Sequence, residues 1–592
     1  MAKDRGFYEA LNPFISLTLA KTDQVAPGER LERCLKDLET ACGNEKTSTA
    51  TDFTRFEAEK AGGTTFQAMC YKRTLQPSWT SGGGFENVEH HLAIAIARNN
   101  HVALHLTDPK LKGPLRAGLL ADYDPDIPLS WLSPVPRLLM SAAFLENGQA
   151  KTLWLSGIHR RSASKADAKI LAGQDLDYSL DPFDDQSFYW SAARSRSAAL
   201  EITIGVSPRS SRIWVGKAKK FEAFANSTAI VIDSVAKAKV KAEASEPFRF
   251  LAVPLEALNP EDVKDGYDLS ILPPDMLDDG DDDADIVNRN AALILSANFI
   301  ADPSAGANLA VTIELNSVAL GTLDLEVTIA RNGKTKFKVD NRKPTGVDDP
   351  VFERLTEILA KGAGINIRYD SGHSISDGQV YKQRAPRIPF TQFADQDFTG
   401  FNVKKEKPDN LAKIGGENSL FCWVQKTHGG WLACDDGANE KADFIHLDDS
   451  GKVPVLSLIH VKGAKSDKPG RRLSVSAYEV VTGQAVKNLQ WLDKQALAEG
   501  LSRSARSANY FWKDGKTVAK DDFVAAIEKL GDNFERRVVV LQPHVRTAAK
   551  DQAEAAKTGV NRLRVDQLNT LLASAWRSCN GLGAKFEVIW ST

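Results

Sequence analysis

The sequence predicts a mixed α/β protein made of several folding units, with a strand-rich α+β N-terminal region ahead of a C-terminal α/β domain. Three observations carry this expectation. The chain has 592 residues, which at about 150 residues per domain gives room for about three or four units. Short β-like runs alternate with amphipathic stretches, and no repeat of about 20 to 50 residues marks a solenoid or a propeller. No run of about 18 apolar residues offers a membrane span.

Composition narrows the classes further. Lys plus Arg total 75 against 77 for Asp plus Glu, a net charge of −2, with 42% apolar and 26% charged residues. That balance is ordinary for a globular chain and by itself points to neither a nucleic-acid nor a membrane partner. The cysteines Cys34, Cys42, Cys70, Cys422, Cys434 and Cys579 form no CxxC pair and no closely spaced framework, so neither a zinc ribbon nor a disulfide scaffold is signalled. The N-terminal MAKDRGFYEALNPF carries charges where an export signal needs an apolar stretch. Together these features lead us to expect a cytoplasmic protein with no membrane partner.

Along the chain, VALHLT from Val102, LEITIGV at 200–206 and TAIVIDSV at 228–235 read as strands, within a strand-rich N-terminal domain over 1–250 that we expect to regulate the protein or bind a partner. Residues 251–300 hold 12 acidic and 2 basic side chains, concentrated in PPDMLDDGDDDADIV, and read as a solvated acidic linker. The run lacks the ligand spacing and terminal Glu of a calcium loop. A β-rich middle domain is expected over 301–390, where LAVTIEL and LDLEVTIARNGKTKFKV form a meander with a hairpin turn at Asn332-Gly333. RYDSGHSISDG at 368–378 reads as a turn-rich connector, and the prolines of KQRAPRIPF mark the next boundary.

The region 391–592 is the most legible. A short helix around SLFCWVQKTH precedes WLACDD, ADFIHL and VPVLSLIHVKGA, three strands joined by the polar turns GANEK and DDSGK. A helical stretch through SAYEVVTGQAVKNLQWLDKQALAEG follows, then the strand RRVVVLQPHV, the helix RVDQLNTLLASAWRSC with its apolar residues near period 3.6, and the strand KFEVIW.

Several chemistries lack their anchors. Gly333-Lys334-Thr335 and Gly515-Lys516-Thr517 have Thr328 and Tyr510 where a P-loop needs its first glycine, and no GxSxG, HExxH or GxGxxG occurs. What stands out is Asp443 opening one strand, with His460 and Lys462 two apart on the next and therefore on one face of it. A carboxylate faced by a ligand and a lysine suits a hard divalent cation with an ammonium beside it, the combination that phosphodiester hydrolysis requires. The plainer reading is a charged hairpin edge, which would set an ammonium against the core without purpose.

These residues resemble the PD-(D/E)xK nuclease superfamily, the restriction-endonuclease-like fold. They resemble in particular a subgroup that reads DDGxxExADF, IHxK and YEVxxGQA, known chiefly as a C-terminal module of bacterial helicase-type and defence-island proteins. Here the elements are Asp435-Asp436-Gly437, Glu440, Ala442-Asp443-Phe444, Ile459-His460-Val461-Lys462, Tyr478-Glu479-Val480 and Gly483-Gln484-Ala485, and the likeness covers about 415–592.

The resemblance implies an αβββαβ core and a metal-dependent nuclease acting on nucleic acid, DNA before RNA, with Mg²⁺ or Mn²⁺. It implies an effector of an anti-phage or anti-plasmid system. Because this chain has no ATPase of its own, a separately encoded helicase, ATPase or sensor protein is the expected partner.

Asp443, His460 and Glu440 are the expected metal ligands, with Lys462, Gln484 and Glu479 completing the catalytic set. His460 stands where the superfamily has Glu or Asp, so Mn²⁺ is expected to serve at lower concentration than Mg²⁺, since hard cations prefer oxygen. Glu440 has two readings, a replacement carboxylate or an exposed turn residue. Gln484 takes its role from a helix glutamine that contacts the site in one branch of the superfamily; both it and Glu479 also read as surface residues. Lys465, Lys468, Arg471 and Arg472 in KGAKSDKPGRR are the candidate phosphate-contacting rim, or a solvated face. The rival function is a nuclease-derived module without turnover, a nucleic-acid-binding or scaffold subunit in which His460 marks decay.

Overall fold

The computed structural model describes residues 2–592 apart from single positions and short stretches, the longest being 159–165, 240–247, 256–262, 272–289, 303–307, 330–334 and 504–509. The protein is mixed α/β and divides into two units, Met1–Pro386 and Arg387–Thr592. Among the described residues no helix is long and apolar enough to cross a membrane. All six cysteines are free thiols.

The first unit is built on antiparallel sheets. A twelve-stranded sheet takes in Phe14–Lys21, Thr64–Leu75, Asn87–Arg98 and Phe188–Ser197. VALHL of the first run lies in its strand His101–Leu106, and TIGV of LEITIGV lies in Thr203–Ser207. TAIVIDSV is a correction: it belongs to the helix Phe221–Lys237. Its β-branched residues read locally as a strand, but Phe221, Phe224, Ala225, Thr228, Val231, Ile232 and Val235 are buried at steps of three and one, the periodicity of a helix face. Tertiary burial of that stripe outweighs the weak local preference of Val and Ile for strands.

Ala297–Asp302, Asn308–Leu315, Val318–Ile329 and Thr335–Pro344 pair in sequence order as a four-stranded meander. The turn Asn332-Gly333 and the acidic run 272–289 lie outside the described residues. RYDSGHSISDG does more than connect: Ile365–Tyr369 and His373–Ser376 form a hairpin within a five-stranded sheet, paired on one side with Gly266–Ile271. Arg368 in this hairpin is 1% exposed and lies 2.7 Å from the Asp268 carboxylate, which compensates its buried charge.

The second unit holds the candidate site. Its elements are β1 (Phe393–Gln396), α1 (Leu420–Thr427), β2 (Trp431–Cys434), β3 (Phe444–Asp448), β4 (Val455–Val461), α2 (Glu479–Lys487), α3 (Lys494–Ser502), β5 (Phe511–Lys513), β6 (Lys516–Thr517), α4 (Lys520–Glu528), β7 (Glu535–Arg546), α5 (Thr547–Ala555), α6 (Val560–Gly581) and β8 (Ala584–Ser591). The strands make one sheet in the order β1-β8-β7-β4-β3-β2-β5-β6. β2, β3 and β4 pair antiparallel, while β4 with β7, β7 with β8 and β8 with β1 are parallel.

Period-two alternation sorts the strand residues between two cores. Ile445, Leu447, Leu456, Leu458, Val538 and Val540 pack with α2, α3, α4 and α6 on one face. Phe444, Ile459, Val461, Val539 and Leu541 pack with α1 on the other. Both faces of β4 are therefore covered, and polar side chains gather where β3 begins and β4 ends.

Candidate metal and phosphate site

Phe444 pairs with Ile459, so Asp443 and His460 lie one step beyond the last ladder pair. The turn before β3 sets three carboxylates together: single oxygens of Asp436, Glu440 and Asp443 all lie within 4.8 Å of one another. The backbone builds the turn. Gly437 has φ 133°, a region that suits glycine. Its N–H donates to Glu440 Oε2 at 3.0 Å, while the Glu440 N–H donates to the Gly437 carbonyl at 3.1 Å. Asp435 ties the turn back to the sheet, its N–H reaching the Asp443 carbonyl at 3.1 Å and its carboxylate accepting from the Lys441 N–H at 3.0 Å.

Each carboxylate of the trio is held by a different element. Asp443 Oδ2 accepts from the Val461 N–H on β4 at 2.8 Å. Glu440 Oε1 accepts from Gln484 Nε2 on α2 at 3.1 Å. Asp436 Oδ1 lies 2.6 Å from Lys407 Nζ. Asp443 is 3% exposed. Burial first, and then the charges of Glu440, Asp436 and Glu406, push its carboxyl well above the usual carboxylate range, against the lowering effect of the Val461 N–H. Lys407 offsets only part of the negative charge that the trio gathers. An all-oxygen donor set of this kind fits a hard divalent cation.

Lys462 follows directly on β4, its own N–H bonded to the Leu541 carbonyl at 2.9 Å. Its Nζ lies 2.9 Å from Glu406 Oε2, which also accepts from the Gly463 N–H at 3.1 Å. Glu406 and Lys407 belong to a strap that precedes α1. The strap is anchored by Ala464 N–H to the Val403 carbonyl at 2.7 Å and by Leu420 and Phe421 N–H groups to the Lys405 and Glu406 carbonyls at 2.9 and 3.0 Å.

His460 stands outside the trio. Its ring is 0% exposed, neither ring nitrogen has a hydrogen-bond partner among the described residues, and burial aided by the Lys487 charge pulls its pKa down to about 3. It is a neutral ring on the strand face of Leu456 and Leu458.

The remaining sequence candidates separate into two places. Gln484 is at the trio through Glu440, whereas Glu479, at the start of α2, lines a cleft with Lys468, Arg471 and Arg472 that includes none of the three carboxylates. Lys465 Nζ donates to Ser476 Oγ at 2.5 Å. Sequence reasoning named Asp436 only within its motif and missed Glu406 and Lys407 altogether. The one available signal was the charged cluster VKKEK at 403–407, which carries no period. No protein-family model and no curated protein matches the chain.

Proposed function

We propose that the chain is a metal-dependent nuclease with a restriction-endonuclease-like core in its second unit. The carrying observation is the carboxylate trio at the head of β3, beside the end of β4, with Lys462 immediately following that strand. Asp436, Glu440 and Asp443 would hold a Mg²⁺ or Mn²⁺ ion. Such a cation, when bound, lowers the pKa of a coordinated water and draws charge from a phosphoryl oxygen.

The chain's own residues do the rest. Lys462 places its ammonium against the charge that develops on the scissile phosphate. Glu406 positions that ammonium. Gln484 and the Gly437 N–H fix the two oxygens of Glu440, and Val461 fixes Asp443, so the carboxylates meet a ligand already oriented. In this reading the substrate is DNA before RNA, the protein is a defence effector, and a separate ATPase or sensor licenses cleavage.

The exclusion of His460 from the trio is the observation that favours the rival, a binding subunit without turnover. Incubating the protein with supercoiled and single-stranded DNA in Mg²⁺, Mn²⁺ or EDTA separates the two. Lys462→Ala should lower single-turnover cleavage by about 10²-fold or more while folding and DNA binding persist. Equal rates for the variant and the native protein would remove Lys462 from the chemistry, and absence of cleavage in every metal would favour the rival.

A further inference from the structure

Immediately after Lys462 the chain leaves the sheet in a long loop, residues 463–478, before α2 begins. Between this loop, β7 and α6 lies a cleft of about 670 Å³ lined by Lys468, Arg471, Arg472, Glu479, His544 and Arg564. Four cationic side chains and one carboxylate share that wall.

The cations are not equivalent. Arg471 is engaged in building the floor: its Nε donates to the His544 carbonyl at 2.7 Å and its Nη2 to the Pro543 carbonyl at 2.6 Å, where the β7–β8 ladder loses register. Lys468, Arg472 and Arg564 make no ion pair among the described residues; Lys468 and Arg472 are exposed and Arg564 is partly buried. At the floor His544 is only 4% exposed; Nε2 meets the Arg472 carbonyl at 3.1 Å, while Nδ1 has no partner among the described residues.

We propose that this cleft is a phosphate-binding groove that seats a single nucleic-acid strand next to the cleavage site, an inference that rests on the nuclease reading above. Lys468, Arg472 and Arg564 take the backbone phosphates, and Arg471 keeps the floor rigid. The volume falls within the range of about 300–1,000 Å³ typical of compact-ligand pockets, room for a nucleotide or two of one strand. Phosphate contacts of this kind set register without reading sequence. The groove therefore adds contacts to the strand it seats and no base preference.

The test uses the full chain in EDTA, with fluorescence anisotropy of a labelled single-stranded DNA and of its duplex, across a salt series. The variants are Lys468→Gln/Arg472→Gln/Arg564→Gln together and Arg564→Glu alone, each checked by circular dichroism. Loss of three phosphate contacts should weaken single-strand binding at least about tenfold and reduce the salt slope by about 2, at about 0.7 per contact. Duplex binding should change far less. Native single-strand affinity in both variants overturns the groove even if Lys462→Ala abolishes cleavage, and an equal loss on duplex overturns the seating of a single strand. If the native protein cuts nothing yet the variants lose single-strand binding, the groove stands and the nuclease reading falls.

Discussion

Replacing Asp443 by Asn should make the metal-free protein more stable while removing its response to divalent cations. At 4.8 Å, the separation that bounds the trio, two unit charges repel by about 3.5 kcal/mol at an effective dielectric constant of about 20. Asp443 faces two such neighbours, and the proton that its raised carboxyl pKa favours, the solvent at the partly exposed Glu440 and the Lys407 ammonium all reduce the sum. A net gain of about 1–3 kcal/mol is the expected result, or about 3 °C per kcal/mol for a unit of this size.

Asn keeps the oxygen that accepts from the Val461 N–H, so the fold around β4 is not otherwise disturbed. Scanning calorimetry of the native protein and the variant, each in EDTA and in millimolar Mg²⁺, reads both effects. The native protein should rise in Mg²⁺ by mass action and the variant should not. A variant that melts well below the native protein in EDTA, or that gains as much from Mg²⁺, would refute the view that the trio is a strained cation site.

Two other outcomes are expected. His460→Leu should leave stability unchanged or raised by about 1 kcal/mol, because it removes a buried ring with two unpartnered nitrogens, and it should leave the Mg²⁺ and Mn²⁺ titrations superimposable; divergent titrations would put the ring on the metal. The rings of His428 and His446 stack edge to face at 4.9 Å, and burial followed by the His446 charge lowers the His428 pKa from its ordinary 6.5 to about 4. The folded state therefore holds this ring neutral while the unfolded chain takes up a proton below pH 6.5, so stability is full above that pH and falls as pH drops toward 4, by about 1.4 kcal/mol per unit. His428→Gln should flatten urea-denaturation stability across that window, and an unchanged slope would mean that the pair does not govern it.

Legibility in the sequence followed how local each signal was. WLAC, FIHLD and VLSLIHV read as strands because their alternation is written within a few residues, and α6 because its apolar stripe spans several turns. The hairpin β5–β6 was missed, since Phe511–Lys513 and Lys516–Thr517 are too short to show a period. TAIVIDSV failed for the opposite reason: five consecutive apolar or β-branched residues look alike in a strand and in a buried helix, and only the spacing back to Phe221 and Phe224 distinguishes them.

In the site, Asp443 and Glu440 stood out because they share one turn. Glu406 did not, because it reaches Lys462 across 56 positions of sequence through a polar strap without regular structure. His460 was the reverse case, since same-face spacing with Lys462 is a property of the strand and does not decide which neighbour a buried ring meets.

The strap has a practical bearing on how the domain can be cut out. The motif likeness begins near residue 415, and a fragment started there would look complete on paper. It would lack Glu406 and Lys407, leaving Lys462 and Asp436 without the counter-ions that hold them, and it would lose β1, exposing the parallel edge of β8 to pairing with other chains. Such a fragment would lose the ion pairs that order the site and tend to aggregate, and both faults would come from the truncation rather than from the native protein. The shortest piece that retains these contacts as well as the whole second unit starts at Arg387.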